Sequence, residues 1–408
     1  MVARKTVAII GAGPSGTVAA ALLRKNNHDV VIFEKQYFPR FSIGESLLCS
    51  CLEDLDNAGL LGVIEQANFQ VKTGAAFQHN NRYATFNFAE NFTDGKDSTY
   101  QVERAKFDKL LADEVARLGV DLCFGEQVED IRFENGVELT LRKADGQQYQ
   151  FHADFVLDAS GYGRVLPRLL DLEVPSTLVT RRAVFTHITD YFSDKAFDRE
   201  KILITTHASN PEIWFWTIPF AEGRSSIGVV VPESLYVNSQ LDSDIFLQTM
   251  INETPSLSSL VEDSEWDTPI NTLAGYSANV KTLHGEYFAL LGNAAEFLDP
   301  VFSSGVTIAM HSATLAAELL HQQFSGHDID WENEYSEKLK IGINCFRTYV
   351  ENWYNQRFQD VVYYQDPDPQ IKAMICSILA GYAWDKNNPF VSDSENKLNL
   401  LADICQAS

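Results

Sequence analysis

The run TVAIIGAGPSGTVAAALLRKNNHDVVIFEK, residues 6–35, restricts this chain more than any other segment. An apolar stretch leads into Gly11-x-Gly13-x-x-Gly16. An alanine-rich helical stretch follows, then a second apolar stretch that closes on Glu34. Strand, glycine turn, helix and strand in that order predict a Rossmann-like layer. In such a layer, glycines permit a tight turn and let a pyrophosphate approach the helix N-terminus. Glu34 ends the second strand, where a carboxylate reaches ribose hydroxyls. A lone glycine motif says little; strand, helix and acid together predict a dinucleotide site.

The basic-then-apolar start MVARKTVAII imitates a secretory leader, but the apolar run is short and enters a glycine turn, so it reads as a first strand. No stretch is long enough to span a membrane. The balance of 32 basic and 56 acidic residues, net −24, argues against nucleic acid and anionic membrane as partners. The six cysteines form no C-x-x-C and no zinc spacing, which predicts free thiols and no metal. A cytoplasmic location is expected.

Further along, residues 46–66 read as a long helix and 103–118 as another, with Phe107, Leu110, Leu111, Val115 and Leu118 at helical spacing. Residues 121–160 read as successive strands with ENG and ADG turns. AVFTHITDYF, KILITTH, IWFWTIPF and SIGVVV, within 183–231, predict an antiparallel sheet. In WFWTIPF, alternation puts Trp214, Trp216 and Ile218 on one face. After residue 326 the chain reads mostly helical. The expected class is α/β: a discontinuous Rossmann-like domain (1–75, 100–175 and 283–325), an inserted antiparallel-sheet substrate domain (76–99 and 176–282) and a helical C-terminal region (326–408).

VERAKFDKLL at 102–111, DASGYGR at 158–164 and LLGNAAEFLDP at 290–300, added to the glycine loop, resemble the three-part FAD signature of the aromatic-hydroxylase superfamily. Its late Gly-Asp is Gly292-Asn293 here; an asparagine still hydrogen-bonds a ribityl hydroxyl. Within that superfamily, Trp214, Trp216, Ile218 and Pro219 match the W-x-W-x-I-P motif of the flavin-dependent halogenases. FLDPVFSSG matches their F-x-x-P-x-x-S-x-G at Phe297, Pro300, Ser303 and Gly305. FPRFSIGESLL at 38–48 and KTGAAF at 72–77 also look like that family.

The resemblance implies FAD, used as FADH2, held by Gly11, Gly13, Ser15, Gly16, Glu34, Arg40, Ser46, Arg104, Asn293, Pro300, Gly305 and Val306. It implies chloride or bromide as co-substrate at the backbone N–H groups of Ser304 and Gly305. SSG opens a helix there, and a helix N-terminus favours an anion. Hypohalous acid would reach Lys72, as a hydrogen-bonded acid or as a haloamine. Trp214, Trp216, Ile218 and Pro219 would shield the arene from the flavin. The family's tryptophan halogenases carry a glutamate just before the halide-loop serine. Phe302 stands there, which implies a pocket for an electron-rich ring.

The resemblance is greatest to enzymes acting on pyrrolyl or phenol-type acyl groups tethered to a carrier protein. Such a protein would be one partner, docked on a local basic patch involving Arg347 and Arg357, and a separate flavin reductase another. A halogenase of a free phenol, or a flavin monooxygenase or geranylgeranyl-reductase-like enzyme on the same scaffold, is the alternative.

Overall fold

The computed structural model describes residues 4–193 and 197–407. A six-stranded sheet runs His284–Gly285, Phe288–Leu290, Phe155–Asp158, Thr6–Ile10, Asp29–Glu34, Asp121–Phe124, parallel except for its first, short pairing. Val7–Ile10 and Phe155–Leu157 are unbroken apolar, buried runs, as strands covered on both faces require. Helix Pro14–Lys25 starts with proline at its first turn, packs on Ser304–Phe324 and Arg104–Arg117, and ends in Arg24 and Lys25, which complement the helix dipole. A three-stranded antiparallel sheet, Glu126–Arg132, Val137–Lys143 and Gln148–Ala153, lies in the chain between the parallel strands Asp121–Phe124 and Phe155–Asp158.

The second large sheet has seven strands, ordered Asn271–Ala274, Arg181–Thr189, Arg224–Pro232, Trp214–Pro219, Lys201–Thr206, Gly74–His79, Arg82–Asn87. The expectation of an antiparallel sheet needs one amendment: Lys201–Thr206 pairs parallel with Gly74–His79, while the other pairings are antiparallel. Its outer face is covered by Glu233–Ser239, Ser243–Asn252 and Pro255–Leu260, three helices that the strand pattern does not announce. They bury Phe215, Ile227 and Val229 against Phe246, Leu247 and Met250. Trp214 and Trp216 belong to the other face, within the main core.

The expected single helix over 46–66 is two, Ser50–Asn57 and Leu61–Glu65. Gly59, at φ +73°, ends the first, as a left-handed glycine commonly does. Residue 46 instead bridges to Gln101 as extended chain. The last region is helical as read, with Glu337–Tyr354, Arg357–Val362, Pro369–Leu379, Pro389–Ser392 and Ser394–Ala407. Asp368 caps Pro369–Leu379 by accepting from the N–H groups of Gln370 and Ile371 at 2.9 and 3.0 Å. Among the described residues, no helix is long and apolar enough to cross a membrane.

Candidate active site

A cavity of about 870 Å³ runs from the glycine loop to the inner face of the seven-stranded sheet. At its first end, two glycines are fixed by close approach. A Cβ on Gly11, at φ +101°, would lie 2.6 Å from the Ala159 carbonyl oxygen, and one on Gly16 would lie 2.0 Å from that of Gly11. Gly13 has space: its nearest neighbour would be the Arg40 guanidinium at 3.7 Å. That leaves its backbone open to a phosphate at the head of helix Pro14–Lys25, with Ser15 also in the wall. Glu34 is buried; Oε2 accepts from the Ala12 N–H at 3.0 Å and Oε1 from the Gln36 N–H at 2.9 Å. Its carboxylate is therefore held in place at the cavity edge.

Arg104 is buried in the wall and shares Asp108 with Arg40. Its Nε and Nη2 donate to Asp108 at 2.8 and 3.0 Å, and Arg40 Nη1 lies 3.1 Å from the same carboxylate. Arg104 Nη1 donates to the Ile43 carbonyl at 2.6 Å. Most of its donors thus go to protein, so Arg104 shapes the 43–46 loop. Two buried polar atoms of the wall lack partners, Ser46 Oγ and Asn293 Oδ1. Buried polar groups are ordinarily satisfied. Orphans at these two positions, a spacious Gly13 and a buried acid at the strand end fit FAD stretched through the cavity.

At the far end Trp214, Trp216 and Ile218 line the wall together, as the alternation predicts; Pro219 ends that strand outside it. Trp216 lies across from Gly228 in the sheet register, and a Cβ on Gly228 would meet the indole at 2.3 Å. Trp216 Nε1 donates to Ser226 Oγ at 3.0 Å, and Trp214 Nε1 donates to Tyr354 Oη at 2.9 Å. Both indoles are buried and fixed by hydrogen bonds.

Beside them, Pro300–Phe302 forms a short 3-10 turn and Ser303, at φ +57°, hands over to the 21-residue helix Ser304–Phe324. Ser303 makes no side-chain cap. Among the described residues, the N–H groups of Ser304 and Gly305 have no acceptor. Pro300, Ser303, Gly305 and Val306 line the cavity. A helix head with free backbone N–H groups, the kind of end that favours an anion, therefore opens on the same cavity as the indoles. Phe302 does not face it. Its ring packs edge-on against Tyr349, Trp353 and Phe358 of the C-terminal helices.

Lys72 is buried, and its Nζ donates to the Leu47 carbonyl at 2.8 Å. It lies outside the cavity wall, behind the loop whose neighbour Ser46 lines it. Burial lowers its pKa to about 7, opposed by nearby Cys49 and Cys51. The Phe88 ring centroid is 5.4 Å from Nζ. The structure thus gathers most of the residues expected to hold FAD, the Ser303–Gly305 turn and the indoles around one space, and leaves Lys72 outside its lining.

Residues that sequence reasoning did not assign also stand here. Glu45, in the wall, meets His187 at 2.7 Å. Its place between Gly44 and Ser46 marks it as part of the cofactor loop, but His187 carries no local signal. Asp299 and Tyr354 lie behind Trp214, with Tyr354 donating to Asp299 at 2.8 Å. Asp299 before Pro300 has the form of a turn cap; Tyr354 is distant in sequence. The expected basic docking residues are committed elsewhere: Arg347 pairs with Glu296, and Arg357 lies 2.5 Å from Asp403.

The family model for the FAD binding domain matches residues 4–335. A 1H-pyrrole-2-carbonyl-(peptidyl-carrier protein) chlorinase of Pseudomonas fluorescens is 29% identical over 385 residues, covering 88% of this chain and 86% of its own. The corresponding brominase of Pseudoalteromonas luteoviolacea is 27% identical over 395 residues, covering 93% and 92%. The crystal structure of a flavoprotein/dehydrogenase from Cytophaga hutchinsonii superposes with a TM-score of 0.95 at 42% identity, covering 98% of this chain and 99% of the other.

Proposed function

The chain belongs to the FAD binding domain family and, within it, to the flavin-dependent halogenases, and from that premise we propose that it halogenates an electron-rich aromatic ring, a pyrrolyl group carried on a carrier protein. FAD in its reduced form supplies, with dioxygen, the oxidising equivalents that turn bound chloride or bromide into hypohalous acid. Gly11, Gly13, Ser15, Gly16, Glu34, Arg40, Ser46, Asn293, Pro300, Gly305 and Val306 would hold the cofactor, and Arg104 the loop beside it. A flavin reductase would deliver the reduced form.

One observation carries the reading: the N–H groups of Ser304 and Gly305 are unpartnered at the head of a 21-residue helix, and Ser303 and Gly305 line one cavity with Trp214, Trp216 and Ile218. The amides bind halide; the indoles exclude water and arene from the cofactor. Lys72, as an amine whose pKa burial has brought near neutrality, either donates a hydrogen bond to hypohalous acid or forms a haloamine. Both roles require the loop at Leu47 to release Nζ. The two pyrrolyl-carrier relatives support the substrate class, and coverage of 86% and 92% of their lengths supports a shared architecture.

A second reading, an oxygenase or reductase on the same scaffold, draws on the Lys72 hydrogen bond to Leu47, which keeps the amine out of the cavity. The deciding assay combines the protein with FAD, a flavin reductase, NADH and either halide. It offers free pyrrole-2-carboxylate, its carrier-bound thioester and a simple phenol. Mass spectra of the thioester product carrying a halogen isotope pattern support the proposal. A mass gain of oxygen alone supports the second reading and rejects the first.

A further inference from the structure

The indole wall and the anion turn come from distant parts of the chain, yet one carboxylate holds both. Asp299 is 2% exposed. Its Oδ1 accepts from the Val301 N–H at 3.0 Å and so caps the Pro300–Phe302 turn that ends in left-handed Ser303. Its Oδ2 accepts from the Tyr354 hydroxyl at 2.8 Å, and more distantly from that of Tyr276 at 3.5 Å. The Tyr354 oxygen in turn accepts from the Trp214 indole N–H at 2.9 Å. The Arg181 guanidinium lies over the Tyr354 ring, 3.4 Å from its centroid, and donates to the Glu212 carbonyl at 3.1 Å.

We infer that Asp299 and Tyr354 are positioning residues that lock the halide turn to the Trp214 wall, so that halide affinity and shielding are set together. The inference rests on the halogenase reading and adds to it two residues outside the family motif's named positions. A backbone anion site has no side chain to adjust. Its affinity depends on where the turn places two N–H vectors, and within the turn that placement is governed by the capping carboxylate. The same carboxylate also receives, through one phenol, the only hydrogen bond of the Trp214 indole among the described residues. Moving Asp299 therefore moves the amides and frees the indole at once. Tyr354, at the last position of helix Glu337–Tyr354, brings the C-terminal region into the site without touching the cavity.

The test uses the FAD-loaded, oxidised protein without turnover and follows bromide binding by the perturbation of flavin absorbance. Asp299→Asn keeps the shape of the side chain but weakens its acceptance; Tyr354→Phe keeps the ring but removes the link. Each is expected to weaken bromide binding by about fivefold or more, while FAD affinity stays within about twofold. Tyr276→Phe, which removes only the long contact, is expected to shift it less. Trp214→Phe removes the indole donor, leaves the Tyr354–Asp299 bond, and is expected to fall between. In turnover, the first two variants should lose halogenated product per reductant consumed and release more peroxide. Bromide affinity and coupling within about twofold of the parent in both folded variants overturn the inference and leave the halogenase reading standing. A parent protein with no bromide response overturns both.

Discussion

Glu45 and His187 meet at 2.7 Å across the rim of the cavity, a carboxylate from the cofactor loop against an imidazole from the strand Arg181–Thr189. Glu45 is 3% exposed, and the imidazole is flanked by Phe41 and Phe220 at 5.4 and 5.1 Å between ring centroids. Burial alone would lower the pKa of His187; the hydrogen bond and charge of Glu45 override it, and the net shift is upward.

That upward shift fixes a sign. A histidine whose folded pKa exceeds its unfolded value contributes stability that is complete below about pH 6.5 and is lost as pH rises through the folded value. The parent should therefore exceed His187→Gln in unfolding free energy most at pH 5.5–6.5, with the gap narrowing toward pH 8.5. Urea titrations across that range check it. A gap that widens with pH would mean the imidazole is neutral in the fold.

Lys72 should show the opposite trend. Burial lowers its pKa from 10.5 to about 7, so between those values the unfolded chain binds more protons than the folded one. Stability then rises with pH from about 7 to 10.5, by at most on the order of 5 kcal/mol for this group. Lys72→Met removes that slope, and its difference from the parent should reverse or shrink as pH rises. The same variant should bind FAD and oxidise its reduced form yet yield no halogenated product. Retention of full halogenation would remove Lys72 from the mechanism.

Gly228→Ala tests the indole wall from behind. The added methyl would sit 2.3 Å from the Trp216 ring and 2.7 Å from the Phe185 Cβ, which leaves it no room. Overpacking of this kind costs about 1–3 kcal/mol. The displaced indole should change tryptophan fluorescence, and the product mixture should gain oxygenated species at the expense of halogenated ones. A changed spectrum with an unchanged product ratio would show that Trp216 moves without consequence for shielding.

Gly16→Ala asks whether the first turn is a cofactor cradle. Its Cβ would lie 2.0 Å from the Gly11 carbonyl oxygen, so the loop cannot keep its shape. Purified protein should carry little flavin by absorbance. Glu34→Ala leaves the turn but removes the acceptor of two backbone N–H groups; FAD affinity should fall by about tenfold. Normal flavin content in both would refute the assignment of this end of the cavity.

What was legible in the sequence was what local periodicity carries. The glycine turn needs small residues at fixed spacing, and the shared face of Trp214, Trp216 and Ile218 follows from strand alternation alone. The FAD layer was legible for the same reason. Residues 46–66 misled because Leu55, Leu60, Leu61 and Ile64 keep an apolar rhythm across the left-handed glycine between two helices. Phe302 misled because its neighbours in sequence line the cavity while its ring turns into the aromatic cluster of Tyr349, Trp353 and Phe358. His187, Arg181 and Tyr354 carry no motif; only tertiary packing brings them to Glu45 and Asp299. The burial of Lys72 likewise depends on the Leu47 loop, which no spacing rule places over it.

The parallel seam between Lys201–Thr206 and Gly74–His79 has a consequence for how the molecule is made. Arg82–Asn87 and Gly74–His79 emerge early as a hairpin, but their sheet partner is synthesised only after residue 200. Long-range pairing of this kind slows folding. Until it closes, the hairpin offers an open edge to other chains, and the nascent protein is most exposed to aggregation during that interval.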